Sequence, residues 1–155
     1  MFDHRKLQLI ALQAFVPWVL FCGTTSAVVA AGQESMAIQA DDVQWKPASP
    51  TLYGVEMAVL KGNPTQAGPF VMRLKFPAFF DYPVHRNPGT EEQVTVLSGA
   101  MGFAMGETFD RYVVKPLPAG SHFVVPDAWH FAWTFEETVV EVQGNGPWRV
   151  AFFEP

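Results

Sequence analysis

Cysteine is nearly absent from this chain. Its 155 residues contain one, Cys22, inside an apolar stretch near the N-terminus. A thiol nucleophile, a CxxC redox pair and a cysteine-rich metal cluster are thereby excluded from the remainder, which needs no disulfide and suits an oxidising compartment. Charge is also scarce, at 16% of residues. Beyond the first few positions no cluster of Lys or Arg occurs, which argues against nucleic acid and anionic membrane surfaces as partners. No segment after the N-terminal stretch keeps a clean helical period for more than about ten residues. There is no internal repeat, no low-complexity tract, no phosphate-binding glycine loop and no Ser/His/Asp order.

What remains is apolar and frequently punctuated. Apolar residues make up 49% of the chain, enough for a packed core in a single domain. Thirteen prolines and twelve glycines break the sequence into short segments, which suits strands better than long helices. After a lead-in at 33–49 anchored by Trp45, strands are expected at 55–60, 70–76, 93–97, 101–105, 122–125, 131–135 and 139–143, with 148–153 as the last. The third segment of this part of the chain carries the clearest alternation: Phe70, Met72, Leu74 and Phe76 fall on one face, Arg73 and Lys75 on the other. That is the pattern of a half-buried antiparallel strand. Many such strands predict an all-β sandwich or barrel.

The N-terminus reads as a secretory signal at residues 1–31, leaving a single domain at 32–155. His4, Arg5 and Lys6 precede an apolar run at 7–21, which is too short for a comfortable membrane span. Small residues follow, with cleavage expected after Ala30 or Ala31. The rival is an uncleaved anchor, which Pro17 within the run disfavours. A lipoprotein signal would need a small residue before Cys22, where Phe21 stands. Removing this segment takes the net charge from −5 to −6, because Arg5 and Lys6 leave together with Asp3.

Chemistry-bearing residues concentrate in two places. The first is His85-Arg86-Asn87-Pro88-Gly89-Thr90-Glu91-Glu92, which runs into 93–97 and Gly99. Residues i and i+2 of a strand share a face, so His85 and Asn87 are expected to look into one cavity. Pro88 and Gly89 reverse the chain and let Glu92 re-enter it. The phase of Glu92, Val94 and Val96 favours Glu92 over its neighbour Glu91. The second place is Gly120 to His130, where His130 follows the Pro126 turn and His122 is read as a surface residue. Imidazole nitrogen and carboxylate oxygen are ligands of borderline divalent ions such as Zn, Fe, Mn, Ni and Cu. Asn87 is a weak ligand by comparison, and its amide has other uses: bonding a substrate or capping the turn. Trp129, Phe131 and Trp133 are read as core. Glu141 and Gln143 share the strand face opposite Val140 and Val142, either a solvated face or the mouth of a cavity, with Gln143 a candidate substrate contact.

These residues resemble the two motifs of the cupins. His85, Asn87, Glu92 and Gly99 match the first, with Asn87 where a second His is usual. Gly120, Pro126 and His130 match the second, with Ala128 where Gly is usual and one residue fewer before the His. The wording of 70–77 and 131–133 is similar to that of small exported bacterial cupins of unsettled function. The likeness covers roughly residues 41–155. It implies a double-stranded β-helix, or jelly-roll, barrel and a metal set of His85, Glu92 and His130, with Asn87 at its edge. It further implies a small organic molecule in the barrel, handled by a metal-dependent enzyme such as an oxygenase or isomerase. The alternative is a non-catalytic binding or sensor module with a degraded metal site. A periplasmic or secreted location and a homodimer are compatible with it. N-terminal sequencing of the exported protein is expected to begin near Ala31 or Gly32. A soluble cytoplasmic form retaining Met1 would contradict the signal.

Overall fold

The computed structural model describes residues 37–154, and the predicted signal at 1–31 lies outside them. A short 3-10 turn at Ala40–Asp42 precedes eleven strands. They are β1 (Lys46–Pro47), β2 (Glu56–Lys61), β3 (Gly68–Phe76), β4 (Asp81–Arg86), β5 (Glu92–Ser98), β6 (Ala100–Met105), β7 (Leu117–Pro118), β8 (His122–Val125), β9 (His130–Thr134), β10 (Thr138–Gly146) and β11 (Ala151–Phe152). Two sheets result, in the orders β1-β2-β3-β10-β5-β8 and β11-β4-β9-β6-β7. Every pairing is antiparallel.

The alternation in 70–76 does what the sequence predicts. Phe70, Met72, Leu74 and Phe76 are all buried. They join Val94 and Val96 of β5 and Val140 and Val142 of β10 in the main core. Arg73 and Lys75 point the other way and pair with Glu141 and Glu56 across the strands. A smaller cluster of Val84, Ala104, Phe131 and Trp133 packs on the opposite face of the second sheet. Phe131 and Trp133 are thus core, as expected. Residues 148–153 form less strand than the sequence suggests. Only Ala151–Phe152 pairs, with Arg86 and His85, while the N–H of Trp148 goes to the carbonyl of Pro64.

Two glycines are constrained by close neighbours, one in the turn before β6 and one within that strand. Gly99 adopts φ +72, and a side chain there would come within 2.5 Å of the Glu137 carbonyl. Gly102 lies under the indole of its ladder partner Trp133, and a Cβ would sit 1.9 Å from a ring atom. Since the backbone there is in the β region, the constraint at Gly102 is space alone. Gly102→Ala is expected to lower stability by about 1–3 kcal/mol through overpacking, measured by urea unfolding. An unchanged midpoint would mean that the Trp133 ring relocates without cost.

Candidate functional site

β4 and β9 bring the two motif histidines together. His85 and His130 are direct partners in the antiparallel ladder. Their rings meet edge to face at 4.2 Å between centroids, and both are buried. The ladder is irregular just before this pair: Tyr82 faces Ala132, while His85 faces His130. Three steps along β4 therefore match two along β9, which is a β-bulge. The extra residue flips the phase. Tyr82 and His85 both look inward, and their rings stack at 3.7 Å and 18°. Val84 turns outward into the smaller cluster.

Glu92 opens β5 opposite Val125 and is buried, whereas Glu91 is exposed. Its Oε1 accepts the indole N–H of Trp148. Tyr82, His85, Glu92 and His130 line one cavity of about 40 Å³, whose other walls are apolar side chains such as Leu74, Phe123 and Val140. The Nδ1 of each histidine lies against a backbone carbonyl, Pro83 at 2.6 Å and Ala128 at 2.9 Å. A carbonyl only accepts, so each Nδ1 carries the proton and each Nε2 keeps its lone pair.

Asn87 does not join them. β4 ends at Arg86, so the two-residue period no longer governs Asn87. Its Nδ2 donates to the Arg149 carbonyl at 3.0 Å, and its buried Oδ1 has no partner among the described residues. It is absent from the cavity wall. Gln143 is also elsewhere. It lies exposed on the outer face of the first sheet, bonded to Glu141, while Val140 and Val142 of the same strand face the cavity. Gln143 is therefore not part of the wall that holds the two histidines; it borders a separate surface space with Lys61, Glu91 and Gln93. His122 is exposed, as expected, with Thr95 as partner at 2.9 Å.

Tyr82 and Trp148 were not foreseen. Strict alternation puts Tyr82 opposite His85. Pro83 was the available signal, because a proline inside a non-edge strand marks a bulge. Trp148 reaches Glu92 across 56 residues of sequence, and nothing local announces that contact.

Burial controls the electrostatics. It pushes Glu92 up to about 7, against the Trp148 hydrogen bond, which pulls it down. Burial, reinforced by the neighbouring His130, pushes His85 down to about 3, against its bond to Pro83. His130 is lowered by burial as well. Tyr82 is raised, by burial first and then by Glu92, so its hydroxyl stays protonated. The set therefore consists of two neutral imidazoles, a phenol and a carboxyl group poised near neutrality.

Fixed tautomers with free Nε2 atoms are a feature of metal-binding histidines. As arranged, the donors are not gathered around one ion. Glu92 is engaged by Trp148, Asn87 is turned to Arg149, and among the described residues no three His, Cys, Asp or Glu groups are arranged to hold an ion.

No protein-family profile matches the chain, and no curated protein is similar to it. Solved structures are similar in fold. The polyketide cyclase RemF of Streptomyces resistomycificus has 15% identity and a TM-score of 0.60, covering 78% of this chain and 88% of its own. An RmlC-like cupin from Shewanella frigidimarina has 17% identity and a TM-score of 0.55, over 73% and 93%. A protein with a double-stranded β-helix domain from Klebsiella pneumoniae has 20% identity and a TM-score of 0.57, over 79% and 100%. At these identities the likeness is one of fold: the chain has the cupin double-stranded β-helix.

The titrations have opposite signs. With Glu92 raised above its ordinary 4.5, the folded protein keeps a proton that the unfolded chain releases between pH 4.5 and 7. Its contribution to stability is lost as pH rises through that window. With His85 lowered from 6.5 to about 3, stability is lost as pH falls through that range. Glu92→Gln removes only the first effect. In chelator-treated protein, its stability relative to wild type is expected to improve between pH 4.5 and 7, by up to about 1.4 kcal/mol per pH unit. Urea unfolding across that range checks it, and a pH-independent difference would contradict it.

Proposed function

We propose that the protein is exported to the periplasm or secreted, and that its barrel binds a small organic molecule at Tyr82, His85, Glu92 and His130. The supporting observation is the gathering of these four polar groups in a cavity with otherwise apolar walls. Buried polar groups cost free energy unless they are partnered. Among the described residues the Tyr82 hydroxyl has no partner, and the two Nε2 lone pairs are available to one. A ligand with a polar head would satisfy them together. That a polyketide cyclase shares the fold supports an organic occupant by analogy of fold alone. The role is that of a binding or sensor module.

A second reading is favoured by the fixed tautomers. The imidazole pair would take a divalent ion (Zn, Fe, Mn, Ni or Cu), with Glu92 released from Trp148 to join it. Bound there, the ion would supply Lewis acidity or oxygen activation, the chemistry of an oxygenase or isomerase.

Mass spectrometry and metal analysis of the mature protein, purified from its native compartment, separate the two readings. The first expects a stoichiometric organic molecule that disappears in the His85→Ala, His130→Ala double variant, with little metal. Stoichiometric metal that Glu92→Ala removes would establish the second.

A further inference from the structure

The cavity's 40 Å³ is room for a water or two. Organic molecules of metabolite size occupy pockets of roughly 300–1,000 Å³. A second space of about 360 Å³ lies at the surface, lined by Ser49, Thr51, Leu52, Trp148, Val150 and Phe152. Trp148 belongs to its wall and also donates its indole N–H to Glu92, a wall of the inner cavity. Phe152 lies 6.2 Å from His85 and 6.4 Å from Tyr82, ring centroid to ring centroid. One layer of side chains separates the two spaces.

We propose that the inner cavity and the outer depression are two chambers of one binding site, divided by the Trp148 indole, and that the ligand is a neutral hydroxyl compound with a flat apolar body: a phenol or aryl alcohol. This inference rests on the reading of the barrel as a small-molecule binder. The inner chamber selects the head group. His85 and His130 offer Nε2 lone pairs, Glu92 offers carboxyl oxygens, and Tyr82 offers an unpartnered O–H. A hydroxyl donates to one of the first three and accepts from Tyr82. A carboxylate head would meet the two imidazole lone pairs and, wherever Glu92 is ionised, a second negative charge, and among the described residues no Lys or Arg lines the chamber. The outer chamber selects the body. Leu52, Val150, Phe152 and the indole give it apolar walls, with Ser49 and Thr51 adding hydroxyls. On binding, the ligand hydroxyl replaces the indole N–H at Glu92, so the carboxyl group keeps a partner while the indole swings aside.

The probes are 2-naphthol, 2-naphthoate and naphthalene, titrated into the exported, mature protein and followed by NMR at the histidine rings and the Leu and Val methyls. A single saturable titration with 2-naphthol is expected to shift His85, His130, Leu52 and Val150 together. Binding is expected to be at least roughly tenfold tighter than for either other probe. Val150→Trp, which fills the outer chamber, is expected to weaken it by a similar factor. Thr51→Trp, at an exposed position of the same depression, serves should Val150→Trp not fold. Shifts confined to Leu52 and Val150 would make the depression a separate surface site and overturn the proposal. Equal affinity for 2-naphthoate would overturn the ligand class. Histidine shifts unaffected by filling the outer chamber would overturn the two-chamber site but leave the barrel-binding reading standing. That reading fails on its own terms only if the natively purified protein also carries no organic molecule.

Discussion

Between Tyr82 and His85, β4 spends one residue more than its neighbour β9. The polar centre of the barrel depends on that mismatch. Without it, a strand of period two could present Tyr82 or His85 to the interior, but not both. With it, two rings stack inside, and Val84 is freed for the outer cluster. The cost is a local break in the ladder, met at Pro83, a residue with no N–H to lose. Its carbonyl is not idle either, since it fixes the proton on His85 Nδ1. The irregularity and the tautomer thus share one short stretch of backbone.

The second dependency is between Glu92 and Trp148. A carboxyl group this deeply buried would favour its neutral form, and the indole N–H moderates that tendency without adding a charge. Because Trp148 comes from the segment after β10 and Glu92 opens β5, the bond also fixes that segment against the barrel. Nearby, Asp127 accepts from the N–H of Gly89 and pairs with Arg86, so the loops carrying the two histidine motifs are held to each other. The site is positioned from both sheets.

Much of this was legible in the sequence. Alternation placed Phe70, Met72, Leu74 and Phe76 inside. Phase selected Glu92 over Glu91 and set Val140 and Val142 on the face opposite Gln143, but left open whether Gln143 was solvated or reached a cavity. These successes share a cause: each residue sits in a regular strand, where local order dictates the facing of side chains. The misses share the opposite cause. Asn87 lies one step past the end of β4. Tyr82 is displaced in phase by the bulge. Trp148 sits in an irregular segment and acts across a long sequence separation. The resemblance carried the fold and the histidine pair, while the fate of Asn87 depended on the Arg149 carbonyl, which only the folded chain brings near.

The outermost strands are short. β1, β7 and β11 have two residues each and β8 has four, and these are the edges of both sheets. An edge offers unpaired backbone groups to any passing extended chain, so its length sets how readily folded copies zip together into larger aggregates. Here three of the four edges present too little ladder to template such growth. Only β8, where His122 and Val124 are exposed, offers a longer run. For a chain whose single cysteine leaves it no internal disulfide to lock its shape, blunt margins provide colloidal protection that the interior packing cannot.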